Sequence, residues 1–155
     1  MEALNIVLVP GAVLLLAPPS YWAEMLATGL AMAACAGFLL VGTVYWAALD
    51  QRLTRSNRSA LPRALALAHR LEIPLLLITG AALMMQAVAI LNGGWSWPVM
   101  GAAILTLLAA LEYVNYYHRQ LQHFDRWSDF KRLIISGRFR RAHMARNLAT
   151  YRREH

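Results

Sequence analysis

Glu72, Glu112, His69 and His118 have side chains that can ligate a metal or carry a proton, and they stand in or beside strongly apolar stretches of this sequence. A charged side chain at mid-bilayer costs roughly 2.5 to 3.5 kcal/mol even on insertion scales, so an intramembrane carboxylate needs a partner or a task. Three arrangements satisfy that need. In the first, Glu112 pairs with Arg70 or Arg119 and Glu72 with His69, and the network fixes helix register. In the second, His69 and His118 are axial ligands of a haem, or join Glu72 and Glu112 around a metal. Di-iron sites in helical bundles use Glu-x-x-His, whereas the orders here are His-x-x-Glu at 69–72 and Glu-x-x-Asn at 112–115. In the third, Arg70 and Arg119 grip the phosphate of a lipid head while Glu112 or His118 transfers a proton as the catalytic group.

The elements that carry these residues are membrane spans. Hydrophobic residues make up 59% of the 155-residue chain and mean hydropathy is +0.42, which excludes an ordinary soluble domain. About 20 apolar residues cross a bilayer core as helix. Trp22 to Leu49, Leu65 to Leu91 and Val99 to Tyr117 meet that length, and the shorter Ala3 to Ala17 is expected to span as a fourth despite Pro10 and Gly11. A cleaved leader is disfavoured, because Glu2 is the only early charge and Pro18-Pro19 follows the apolar run. Cys35, the lone cysteine, is expected to be a small buried hydrophobe.

Charge sets the orientation. Arg52, Arg55, Arg58 and Arg63 fill the connection after the second span, while 18–21 and 92–98 carry no charge. From Arg119 onward ten Lys/Arg face Asp125, Asp129 and Glu154, a net of +7 that equals the formal charge of the whole chain. The positive-inside rule then puts both termini in the cytoplasm. Tyr21, Trp22, Trp95 and Trp97 would mark the outer interface, and Tyr45, Trp46, Tyr113, Tyr116 and Tyr117 the inner one.

Spacing predicts which faces meet. His69, Glu72, Leu76, Thr79, Leu83 and Gln86 recur at steps of three and four, a bundle seam, and Glu112, Asn115, Tyr116 and Arg119 share one face of the last span. Gly29, Ala33 and Gly37 form a small-xxx-small ridge that would allow close helix approach. Pro74 predicts a kink in the third span. The expected fold is thus all-α: a polytopic four-helix transmembrane bundle over 1–118 with a basic amphipathic helical tail over 119–155. In that tail Phe124, Trp127, Phe130, Leu133 and Ile134 form a stripe that Ser136-Gly137 ends. Arg138, Arg140, Arg141 and Arg146 then offer a surface for anionic membrane lipid or a partner protein. Nucleic acid is disfavoured, since no groove-reading or stacking module accompanies the charge.

Two resemblances add expectations. RALALAHRLEIPLLLITG, residues 63–80, is similar to the second-helix start of the membrane-associated eicosanoid and glutathione metabolism proteins, four-helix membrane enzymes. Glu72 matches that family's glutamate, His69 stands where it usually has Asn, and Leu65 replaces its arginine. LEYVNYYHRQL, residues 111–121, with the basic segment that follows resembles the C-terminal cassette of small bacterial inner-membrane proteins, which implies that location and no activity. The expectation is a non-enzymatic accessory or assembly subunit of a larger membrane complex, with a membrane-protein partner or a second copy of itself. The alternative is a small membrane enzyme or a haem or metal carrier using the His/Glu cluster.

Overall fold

The computed structural model describes residues 2–54, 59–119 and 142–154. Among them are five helices: α1 (Glu2–Leu16), α2 (Trp22–Thr54), α3 (Ala60–Gly93), α4 (Trp97–Tyr117) and α5 (His143–Glu154). The described residues are almost wholly helical, and α2, α3 and α4 are long and apolar enough to cross a membrane. This is a membrane-spanning protein. At 1.5 Å per residue the 15 residues of α1 reach only about 22 Å, short of the roughly 30 Å hydrocarbon core. The fourth span expected from the sequence is therefore not among the candidates.

Local chemistry explains the element ends. Gly94 adopts φ 76° after α3 and its N–H bonds the Ile90 carbonyl at 2.7 Å, a conformation glycine takes without a Cβ clash. Ser96 then caps α4, with Pro98 in the first turn where a missing N–H costs nothing. Pro74 lies inside α3, which continues through it as one helix.

The centre of the bundle is α2, packed chiefly on α3 and next on α4, with α1 against α2 and α4. Its buried face is lined by alanines in the first half, Ala23, Ala27, Ala31 and Ala34, and by the larger Phe38, Val41 and Tyr45 in the second. Two glycines of α2 admit bulky neighbours. A Cβ on Gly37 would sit 2.3 Å from a Leu75 methyl, and one on Gly42 would sit 2.2 Å from the Tyr116 ring. The predicted small-residue ridge is only partly used, because Gly29 faces open space and Ala33 is exposed. The α3 seam also differs from expectation. Thr79 and Gln86 are buried, but Leu83 is 55% exposed and the buried line runs through Leu61, Leu65, Ala68, Leu75, Ala82 and Ala89. Ala68, Ala82 and Ala89 in that line let α2 and α3 approach each other, and Leu83 is left on the outward face that apolar surroundings cover.

Candidate functional site

At 33 and 34 residues, α2 and α3 outrun the 21 residues of α4 and extend past its end at Tyr117. There α5 takes over, packing on α3 and α4. Its Met144 and Leu148 enter the same core cluster as Tyr45, Leu61, Leu65, Ala68 and Tyr117. The basic tail segment that the sequence offers to lipid or a partner protein thus spends its apolar face on the bundle.

Polar contacts key that docking. Tyr45, only 1% exposed, shares a 2.6 Å hydrogen bond with His143 Nδ1, and Asn147 donates to its hydroxyl at 2.9 Å. At the other end of α5, Arg152 forms an ion pair with Glu72, and its Nε reaches His69 Nδ1 at 3.4 Å. His69 and Glu72 are therefore bridged by an arginine instead of bonding each other. Beside them Tyr117 donates to the Ala68 carbonyl at 2.7 Å and stacks on Tyr113, whose ring meets the edge of His118. The rim joins α3, α4 and α5 through His69, Glu72, Tyr113, Tyr117, His118 and Arg152.

Glu112 is not part of that rim. It interacts with Asn115 and Tyr116 on its own helix and lies within electrostatic reach of Cys35 on α2. Its Oε2 is buried without a hydrogen-bond partner. Among the described residues no ion pair joins Glu112 to Arg70 or Arg119. The candidate set read from the sequence is split by helix rotation: Tyr113 and Tyr117 pack on Phe38 of α2 and reach round to the rim, where Tyr117 bonds Ala68 of α3, whereas Glu112 and Tyr116 lie against α2 near Cys35 and Gly42. Cys35 is buried at 1% exposure, as expected for a small hydrophobe.

Among the described residues no three His, Cys, Asp or Glu side chains gather as metal ligands. His69 and His118 are exposed at the α5 end, one reached by Arg152 and the other against Tyr113. Arg146 is exposed on α5, while Arg138, Arg140, Arg141 and the stripe from Phe124 to Ile134 lie outside the described residues, as do Arg55 and Arg58.

The opposite end holds a joint that spacing alone did not single out. Glu24, 3% exposed, accepts hydrogen bonds from the Ser20 N–H at 2.8 Å and from the Ser96 hydroxyl, tying α2 to the start of α4. Tyr21 donates to the Ala89 carbonyl at 2.7 Å and lies against Gly93. Burial, and then the nearby Glu24 carboxylate, raise the pKa of this phenol, so it is a donor at neutral pH. Between the two ends Gln86 donates to Thr106 across α3 and α4 at 2.7 Å. The available signal was Glu24 itself, an acid opening an apolar run, with a serine just before the run and another before α4.

No protein-family model matches the sequence, nor does any curated protein or solved structure.

Proposed function

We propose that this chain is a non-enzymatic accessory or assembly subunit of a larger complex in the bacterial inner membrane, with both termini cytoplasmic and four passes, the short α1 crossing where the bilayer thins around it. The observation that carries this reading is the occupation of Glu72. The rim carboxylate best placed for acid–base or metal chemistry is engaged by Arg152 of the chain's own last helix. Glu24, Gln86, Tyr21 and Tyr117 each join two elements as well, the use expected of polar groups that hold a membrane bundle in register. The cationic residues at the α5 end support a cytoplasmic placement of that end.

Glu112 favours a second reading. A carboxylate oxygen buried without a partner, near a buried thiol, is an arrangement that proton transfer or a bound cofactor would use. Affinity purification of tagged protein from its native membranes, followed by native electrophoresis, separates the two. The subunit reading expects migration in a stoichiometric assembly with another membrane protein. Migration as the isolated chain carrying a stoichiometric Soret band or bound metal would overturn it in favour of the enzyme or carrier.

A further inference from the structure

The docking of α5 presents its remaining face at a defined depth. Ala142, Met144, Ala145 and Leu148 are buried, while Arg146, Thr150 and Arg153 are exposed. At 100° per residue these three fall within about 60° of the wheel, opposite Met144 and Leu148. Arg152 is turned aside to Glu72, and neither Arg146 nor Arg153 is ion-paired among the described residues.

The register of the helices gives the depth of this face. Tyr21 meets Ala89 and Gly93, and Gly37 meets Leu75, so α2 and α3 run antiparallel with Gly42 close to the level of Leu71. A hydrocarbon core of about 20 helical residues starting at Trp22 ends near Gly42 on α2 and near Glu72 on α3. On α4, counted from Trp97, it ends at Tyr117, where the helix itself stops. Tyr45 lies about 5 Å beyond that plane and Glu72 lies on it. The headgroup zone adds roughly 5 to 8 Å on each side of the core. Both anchors of α5 are therefore at headgroup depth. Trp46, half-exposed beside Tyr45 with ring centroids 5.5 Å apart, is the kind of residue that marks this zone.

We infer that the outward face of α5 is a seat for the phosphate of an anionic phospholipid, with Arg146 and Arg153 as the cations that hold it and the Thr150 hydroxyl between them. The helix needs no apolar insertion to stay there, because the bundle already covers its apolar side. The two guanidiniums, unpaired among the described residues, act as positioned charges instead of a floating cluster. This rests on the reading that the α5 end faces the anionic cytoplasmic leaflet, and a topology reporter tests that orientation independently of lipid binding.

The test is native mass spectrometry of the full-length protein in detergent, titrated separately with phosphatidylglycerol and phosphatidylcholine of matched chains. The wild type is expected to retain phosphatidylglycerol preferentially. Arg146→Gln with Arg153→Gln should weaken that binding about 30-fold, the fold-change that corresponds to about 1 kcal/mol per surface cation. Lysine at both positions should restore most of it. Since both residues are exposed, the unfolding midpoint of the Gln pair in pure phosphatidylcholine nanodiscs should stay close to wild type. Equal binding of the two lipids by wild type, or a phosphatidylglycerol preference unchanged in the Gln pair, would overturn the assignment.

Discussion

Glu112 carries a buried oxygen with no partner, and that fact reverses the effect expected of its replacement. Had Arg70 or Arg119 been its counter-ion, an apolar substitution would have stranded a buried charge at about 3 to 5 kcal/mol. Without such a pair, the unpartnered Oε2 is itself a cost of about 1 to 3 kcal/mol, set against the contacts of the carboxylate with Asn115 and Tyr116. Glu112→Leu should therefore hold or raise the thermal unfolding midpoint in detergent, with Glu112→Gln between it and wild type. A clear drop for the Leu variant would show that the contacts with Asn115 and Tyr116 outweigh the cost of the unpartnered oxygen. A gain in stability accompanied by loss of complex assembly would mark Glu112 as kept for function at the expense of the fold.

At the scale of elements, α5 is held by two kinds of contact of unequal strength. Arg152 is 44% exposed, and an exposed ion pair contributes about 0 to 1 kcal/mol. Leu148 is 2% exposed within the core cluster, and truncating a buried leucine to alanine costs about 2 to 5 kcal/mol. Leu148→Ala should thus release α5 while Arg152→Ala leaves it seated. Amide hydrogen exchange over 143–154 reads this directly: protection should collapse in the first variant and persist in the second, with 73–91 of α3 unaffected in both. The opposite order would show that charge, not apolar burial, fastens the helix.

For the whole molecule, the distribution of cations predicts its direction in the bilayer. Reporters placed after His155 and within 55–58 should both read as cytoplasmic, and one at Gly93-Gly94 as periplasmic, where an uncharged connection joins α3 to α4. A cytoplasmic reading at Gly93-Gly94, or opposite readings at the other two sites, would overturn the orientation. A further reporter ahead of Glu2 decides whether α1, at 15 residues, carries the N-terminus across.

The sequence by itself determined the long apolar elements and their approximate limits, because membrane crossing depends on length and hydropathy along the chain, which are local quantities. It also located the polar residues that had to be accommodated, since few side chains in an apolar run can be charged. Which of them meet was decided only by the tertiary structure. Glu112 and Tyr113 are neighbours in sequence, yet a helical rotation of 100° sends one toward Cys35 and the other to the rim with His118. The partner of Glu72 lies 80 residues away in a helix whose apolar stripe fits either lipid or protein equally well by pattern. Pattern shows that a face must be buried; the space left beyond the end of α4 determined what buries it.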